Sequence, residues 1–134
     1  LGDVYKRQLQ DYEEVYDYRN IEVTIDEQDI FNVTMNESLA VALLTNLLKN
    51  AFVHNIDGGH IRITVTKNSI TFRNSGVENP LDKEHIFERF YQGTKKEGST
   101  GLGLAIADSI CRLQHLSIRY YFEQKEHCFE ISRQ

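Results

Sequence analysis

The strongest constraint on the fold is a glycine-rich loop that leads directly into an apolar helix. Residues 98–103 read Gly-Ser-Thr-Gly-Leu-Gly, and residues 104–113 carry only two charged side chains, Asp108 and Arg112. Apolar residues on almost every side predict a helix that packs deep in the domain, with little exposed face. The three glycines allow positive φ angles and a close approach of the backbone to another group.

Two interpretations of this loop stay open from its own residues. The free N–H groups and the positive dipole end at the start of the helix favour an anion, with phosphate as the ligand. The simpler alternative is a tight turn with a threonine cap at the helix start. A Walker-type loop is set aside because no Gly-Lys-Ser/Thr follows the glycines. A dinucleotide fingerprint fits poorly because no strand-like run leads into Gly98.

Composition narrows the class of function. The 134 residues suffice for one domain with a real core. The net charge of −5 argues against a surface for nucleic acid or anionic membrane. No apolar run approaches the roughly 18 residues that span a bilayer, and no signal peptide is visible. Because the chain has only Cys111 and Cys128, we expect reduced core thiols in a cytoplasmic setting.

The hydrophobic periodicity predicts an α/β (α+β) two-layer sandwich, in which one mixed sheet is covered on one face by about three helices. Residues 1–8 show no clear period, and we exclude them as an expression remnant or the frayed end of an upstream element. The predicted helices span residues 9–20, 37–54, 82–90 and 104–113, the third of them short. The predicted strands span residues 21–25, 30–35, 61–66, 69–73, 116–122 and 127–132.

Two asparagines lie at an unusual place on the second predicted helix. Asn46 and Asn50 are spaced i and i+4 at the border of its apolar stripe, and His54 follows one turn later. A buried amide without partners costs roughly 1–3 kcal/mol, so its presence needs a reason. Either the amides bond to nearby backbone as structural residues, or they form part of a binding site.

Four stretches in a fixed order carry a resemblance to a known family. They are Asn-Leu-Leu-Lys-Asn-Ala-Phe-Val-His-Asn at 46–55, Phe-Arg-Asn-Ser-Gly at 72–76, Ile-Phe-Glu-Arg-Phe-Tyr-Gln-Gly at 86–93, and Gly-Ser-Thr-Gly-Leu-Gly-Leu-Ala at 98–105. Their order resembles the N, G1, F and G2 boxes of the catalytic and ATP-binding domain (HATPase_c) of two-component sensor histidine kinases. The resemblance covers residues 9–134. DNA gyrase and MutL share the superfamily, but the phenylalanine box favours the kinase branch.

The resemblance implies ATP and Mg²⁺ as ligands, with roles for particular residues. Asn50 would ligate Mg²⁺ through its side-chain oxygen, which suits a hard cation that also takes phosphate oxygens. Asn46 would orient the phosphates or a metal-bound water, and both asparagines count as catalytic. His54 would lie beside the adenine, and Asn74 would accept a hydrogen bond from the adenine amino group. The other implied nucleotide contacts are Gly76, Lys95 or Lys96, Thr100, Gly101, Leu102 and Gly103.

Three departures from the family pattern raise an alternative. Asn74 stands where the family has an aspartate, and no second glycine follows Gly76. Val53 replaces the usual lysine, and Gln-His-Leu at 114–116 replaces His-Gly-Gly. The lost charged contacts predict weaker nucleotide binding, by about 1–3 kcal/mol. The alternative is a degenerate, non-catalytic nucleotide-binding or scaffold module of the same fold.

The resemblance also implies partners. None of the five histidines lies in the family's phosphoacceptor setting, so the γ-phosphate would pass to a histidine on a separate dimerisation domain, and then to a response regulator. Phe87 and Phe90 would dock on that domain or simply pack in the core. The chain would be the cytoplasmic portion of a membrane-anchored sensor kinase, itself in contact with neither membrane nor nucleic acid. Residues 92–100 are expected to order when nucleotide binds, since little apolar burial opposes their chain entropy.

Overall fold

The computed structural model describes residues 1–91 and 101–134, without the side chains of residues 2 and 3. These residues form three helices and five strands. They are α1 (Gly2–Val15), β1 (Glu22–Glu27), α2 (Glu37–Val53), β2 (His60–Val65), β3 (Ser69–Asn74), α3 (Gly103–Leu113), β4 (Leu116–Glu123) and β5 (Glu126–Arg133), with a short 3₁₀ turn at Asp17–Arg19. In the described ranges, no helix is both long and apolar enough to cross a bilayer.

The strands form one mixed sheet in the order β1-β2-β3-β5-β4. β1 runs parallel to β2, and the other neighbours are antiparallel. The sheet buries one face, as the alternation along β2 shows: Ile61, Ile63 and Val65 are buried while Arg62 is exposed. α2 packs between α1 and α3 over the core. The predicted two-layer sandwich, with a mixed sheet and three helices, is confirmed.

The central helix α2 begins and ends where the sequence predicts. The Asn36 side-chain oxygen accepts hydrogen bonds from the backbone N–H groups of Ser38 (2.8 Å) and Leu39 (3.4 Å). This satisfies two of the N–H groups that a helix start leaves without partners. Leucines and alanines along one stripe anchor the helix to the core, and His54 ends it.

The first helix starts earlier than predicted. α1 begins at Gly2, and Tyr5 and Leu9 are buried against the core one turn apart. The sequence does not predict a helix start at Gly2, because residues 1–8 contain too few apolar positions to show a helical period. Asn20 adopts a left-handed conformation (φ 54°) after the 3₁₀ turn and separates it from β1, as predicted. The assignment of residues 1–8 to an upstream remnant stays a prediction.

Two predicted elements are wrong. Residues 30–35 form no strand, because Phe31 turns into the core and the Arg133 guanidinium lies over its ring. Residues 82–90 form turns and not a helix. The Asp82 carboxylate accepts from the N–H of Glu84 (3.0 Å), and one helical turn closes from Ile86 to the Asp82 carbonyl (2.9 Å) before the chain departs.

The degree of burial also differs from the prediction at two elements. α3 buries Ala107, Ile110 and Cys111, whereas Leu113 is 67% exposed, so the helix has an open face and is not deeply packed. β1 is an edge strand with five of its six residues exposed, because only β2 pairs with it. Both cysteines are buried and unpaired, which confirms the expected thiols.

The end of α2 is held against the sheet by one buried amide. Asn55, fully buried, donates to the carbonyls of Ala51 (3.1 Å) and His60 (3.0 Å). Its oxygen accepts from the Ile56 N–H (2.8 Å) and the Ser75 hydroxyl (2.6 Å). Two donors and two acceptors are therefore satisfied at the meeting point of α2, β2 and β3.

An arginine reinforces the same junction from the other side. The Arg19 guanidinium donates to the Phe52 carbonyl (2.5 Å) and the Asn55 carbonyl (2.6 Å), and it pairs with Asp57 (2.8 Å). These carbonyls belong to the last turn of α2 and the residues after it, which have no partners inside the helix. A positive charge there also complements the helix dipole.

Candidate functional site

The two asparagines of α2 differ in their use of hydrogen bonds. Asn46 donates its amide to the Ala42 carbonyl, one turn back, at 2.8 Å. Asn50, one turn further along, is half-buried and has no side-chain hydrogen bond to any residue of the described ranges. The Asn46 amide group is thus fixed by a hydrogen bond, whereas Asn50 keeps its side-chain oxygen available to a ligand.

The start of α3 lies directly against Asn46. A Cβ placed on Gly103 would stand 3.0 Å from the Asn46 oxygen, tighter than ordinary van der Waals contact. A glycine at this position therefore lets the N-terminus of α3 approach the polar border of α2.

Gly101 has the positive φ that the sequence predicts for this loop. Its φ is 77°, and its carbonyl accepts from the Phe90 N–H at 2.7 Å. A Cβ on Gly101 would lie 2.7 Å from the Phe90 Cα. The contact joins the chain on the two sides of residues 92–100. The implied contacts Lys95, Lys96 and Thr100, and the expected ordering of this segment, lie outside the described residues.

Asn74, the last residue of β3, carries a buried polar atom without a partner. The residue is 2% exposed, and its amide donates to the Ser75 carbonyl at 2.8 Å. Its side-chain oxygen is buried and accepts no hydrogen bond within the described ranges. Such an oxygen costs roughly 1–3 kcal/mol unless a ligand or water supplies a donor. This is the acceptor that the resemblance implies for adenine.

The loop after Asn74 approaches the end of α2. A Cβ on Gly76 would lie 2.9 Å from the His54 carbonyl oxygen and 3.2 Å from the His127 ring. Because only a glycine fits, the backbone of this loop lies against both groups. Gly76, two residues after Asn74, therefore lies against His54 at the end of α2, while Gly103 at the start of α3 lies against Asn46.

The two phenylalanines of the third stretch have different surroundings. Phe87 is half-buried and packs edge-on against Phe129, with ring centroids 6.3 Å apart. Phe90 is 69% exposed and has a positive φ of 65°. Core packing therefore accounts for Phe87, while the Phe90 ring is left at the surface.

Several residues that build this region were not identified from the sequence. Asn55 and Ser75 join α2 to β3, and His127 and Tyr120 contact the loop after Asn74. Their partners lie 7 to 50 residues away, so no local pattern marks them. The one available signal was the position of Asn55 and Ser75 inside motif stretches.

Ionisable groups near the sheet have pKa values set by burial and pairing. The Arg62 guanidinium, with the His60 ring, holds the pKa of the Glu126 carboxyl below its ordinary value on the open face of the sheet. Burial raises the pKa of Cys111 to about 12 and that of Cys128 to about 11. Both thiols stay protonated at neutral pH, so neither is a nucleophile there.

The chain matches one family model over most of its length. Residues 35–132 match the model described as "Histidine kinase-, DNA gyrase B-, and HSP90-like ATPase". The match includes Asn46, Asn50, Asn74, Gly101 and Gly103. The chain belongs to this ATPase family.

Relatives of this ATPase domain include sensor proteins. The sensor histidine kinase RppB of Synechocystis sp. is 43% identical over 84 residues, which are 56% of this chain and 18% of the relative. The heme sensor protein HssS of Staphylococcus aureus is 36% identical over 109 residues, 78% of this chain and 24% of the relative. The chain therefore spans about a quarter or less of the length of these relatives.

Solved structures share the fold. The catalytic domain of the histidine kinase ThkA, in a nucleotide-free form, superposes with a TM-score of 0.84 at 25% identity, covering 98% of this chain and 90% of that one. The mycobacterial sensor histidine kinase MprB gives a TM-score of 0.83 at 20% identity, with coverage of 98% and 94%. The predicted resemblance to a histidine kinase ATP-binding domain and the predicted fold are confirmed.

The Gly101–Phe90 contact can be tested against a glycine with the same backbone angle. Gly58 has φ 74°, close to that of Gly101, but a Cβ there would meet nothing within 4 Å. Both Gly58→Ala and Gly101→Ala should lose about 1 kcal/mol for the left-handed conformation. Gly101→Ala should lose about 1–2 kcal/mol more, because the Phe90 backbone must move. Urea denaturation of both variants measures the difference, and equal losses would contradict the contact.

Proposed function

We propose that this ATPase domain is the catalytic part of a sensor histidine kinase, which binds ATP with Mg²⁺ and supplies the γ-phosphate to a histidine on a separate domain. The observation that carries the proposal is the buried, unpartnered side-chain oxygen of Asn74. Its neighbourhood supports this reading, because Gly76, Gly101 and Gly103 each make a close approach that a Cβ would obstruct.

Asn74 fits the role of adenine acceptor. Its amide group is bound to the Ser75 carbonyl, so its oxygen is fixed as the acceptor. Adenine presents an amino donor at the position where guanine presents a carbonyl oxygen, so this acceptor favours ATP over GTP. A neutral amide gives a weaker hydrogen bond than a carboxylate would, which is the first reason to expect modest affinity.

Asn50 and Asn46 fit the metal and phosphate side. Asn50 has a half-buried side-chain oxygen with no partner in the described ranges, and a neutral oxygen suits Mg²⁺ that shares its coordination with phosphates. When bound, Mg²⁺ would neutralise charge on the transferring phosphoryl group. Asn46 orients its oxygen toward the start of α3, where backbone N–H groups favour an anion.

The same residues favour transfer over hydrolysis. An amide does not take up a proton at neutral pH, so Asn46 does not act as the general base that would activate water. Leu47 and Leu48, which follow it, are buried apolar residues. ATP would therefore be oriented without being attacked until another domain presents a histidine in line with the γ-phosphate.

Relatives and solved structures support an inference about the partners and the cellular location of the full-length protein. ThkA has a structure in complex with the response regulator protein TrrA, and this neighbour shares 23% identity with the chain. We infer that the full-length protein includes a dimerisation domain, hands its phosphate to a response regulator, and keeps this ATPase domain in the cytoplasm beneath a membrane anchor.

A second candidate function follows from the departures at Asn74 and Val53. Val53, which stands at a position where the family carries a lysine, is 9% exposed and packs into the domain. A charged phosphate contact is thus absent at that position. The alternative is a nucleotide-binding or scaffold module without catalysis, and nucleotide affinity separates the two.

We expect ADP and ATP to bind below about 1 mM and to bind more weakly once Mg²⁺ is chelated. Titration calorimetry measures both conditions. Asn50→Ala should bind weakly and with little dependence on Mg²⁺, whereas Asn32→Ala, an exposed asparagine of the loop before α2, should behave as wild type. The absence of any binding at millimolar nucleotide would favour the scaffold alternative.

We further expect the domain alone to hydrolyse ATP hardly faster than solution and not to label itself. With radiolabelled ATP, it should phosphorylate a matching dimerisation domain added in trans, and that transfer should fall with Asn46→Ala. A steady hydrolysis rate on the order of 1 s⁻¹, typical of a competent enzyme, that is lost in Asn46→Ala would overturn the kinase assignment.

A further inference from the structure

The His127 side chain connects the sheet to the loop that follows Asn74. His127 is the β5 partner of Asn74 across the sheet, and it is 4% exposed. One ring nitrogen, Nε2, lies 2.7 Å from the Val77 carbonyl oxygen. The other, Nδ1, lies 2.7 Å from the Tyr120 hydroxyl, which also accepts from the Leu81 N–H at 3.0 Å.

The partners of the ring fix where its proton lies. The Val77 carbonyl only accepts, so Nε2 carries the hydrogen and donates it. Nδ1 is then the acceptor, and the Tyr120 hydroxyl donates to it. That hydroxyl oxygen accepts from Leu81 in turn. Every group in the chain of hydrogen bonds is satisfied by a neutral imidazole.

These bonds hold residues 76–81 at both ends. The contacts to Val77 and Leu81 are hydrogen bonds that join this loop to β5 and β4. Between them lie Glu78, Asn79 and Pro80, which are exposed. Gly76, the first residue of the loop, lies between the His127 ring and the His54 carbonyl. The loop is thus tethered by two side chains from β4 and β5.

We propose that His127 and Tyr120 are positioning residues of the nucleotide site: they hold residues 76–81 beside Asn74, so that the wall of the base pocket is formed before nucleotide binds. This inference rests on the proposed function, since it takes Asn74 as the adenine acceptor. Neither side chain needs to touch the ligand, because each acts through the backbone of the loop.

Protonation of His127 would break the arrangement. A proton on Nδ1 turns that acceptor into a donor, and the Tyr120 hydroxyl loses the group to which it donates. Burial holds the pKa of His127 below its ordinary value, so the ring is neutral at pH 7 and the tether is intact there. The affinity that depends on the tether is therefore present at neutral pH and is lost as the pH falls through the pKa of His127.

The groups that face the His127 ring in the described structure do not titrate in the pH range in which His127 does. Tyr120 and Phe122 face it from β4, at ring distances of 5.9 Å and 4.8 Å, and Val77 faces it from the loop. Tyr120 is the titratable group among these, and burial raises its pKa above the ordinary value of 10.0. Glu126, the neighbour before His127, is bound to Arg62 on the opposite face of the sheet.

Two adjacent tyrosines provide a matched test. Tyr120→Phe removes the hydroxyl that bonds to His127 and Leu81, whereas Tyr121→Phe removes one that points to the open face of the sheet. We expect Tyr120→Phe to weaken ADP binding roughly tenfold, the cost of a hydrogen bond left unmade. Tyr121→Phe should stay within about twofold of wild type. Calorimetry with Mg²⁺ and ADP at about pH 7.5 gives both values, since His127 is then neutral.

A pH profile separates positioning from general stability. The ratio of ADP affinity in wild type to that in His127→Gln should fall toward one as the pH is lowered through the pKa of His127, which lies below its ordinary value, because glutamine does not titrate. Taking the ratio cancels the ionisation of the ADP phosphates. In the absence of nucleotide, hydrogen exchange at the Leu81 amide should accelerate in Tyr120→Phe and not in Tyr121→Phe.

A failure of the positioning role and a failure of the proposed function would give different experimental results. If wild type binds ADP, but Tyr120→Phe and His127→Gln bind it equally well at every pH, the positioning role is wrong and the nucleotide site stands. If wild type binds no ADP, the proposed function fails and this inference fails with it. Faster exchange at Leu81 with unchanged ADP affinity would mean that the tether is merely structural, which also overturns the inference.

Discussion

The four hydrogen bonds of Asn55 are the interaction on which the rest of the structure depends. This fully buried amide joins the last turn of α2 to the start of β2 and, through Ser75, to the end of β3. α2 carries Asn46 and Asn50, and β3 ends in Asn74, so this side chain joins the two elements that carry the proposed nucleotide site. A buried polar group of this kind specifies a single arrangement, because an apolar replacement would leave several carbonyl and N–H groups without partners.

The proposed nucleotide site is built by close approach of backbone more than by charge. Gly76 lies against the His54 carbonyl, Gly103 against Asn46, and Gly101 against Phe90, each at a distance that a Cβ would violate. Asn74 then presents a buried oxygen with no protein partner in the described ranges. The fold bears the cost of that oxygen without a ligand, which is expected of a group that binds one. Asn74 and Val53 are neutral, so they give the proposed site less electrostatic strength than charged residues would.

Much of this could be predicted from the sequence, and the remainder failed for identifiable reasons. α2 and the two hairpins were predictable because the Asn36 cap and the alternation along β2 are local signals. Residues 30–35 alternate like a strand, but Phe31 packs into the core and no strand in the described part of the chain pairs with them. α3 was expected to be deeply buried because its residues are apolar, yet Leu113 is exposed. The candidate site residues came from motifs, whereas the bonds from Asn55 to Ser75 and from His127 to Val77 join residues distant in sequence, which no local pattern marks.

The most direct test of the account is the response of the Asn74 side-chain amide to nucleotide, followed by ¹⁵N NMR in the presence of Mg²⁺. Addition of ADP should shift the Asn74 amide resonances strongly, because its oxygen gains a donor that it lacks in the free domain. GDP should shift them far less, since guanine offers a carbonyl oxygen in place of the adenine amino group. Equal shifts with ADP and GDP, or resonances that move elsewhere while those of Asn74 stay fixed, would contradict the assignment of this residue as the adenine acceptor.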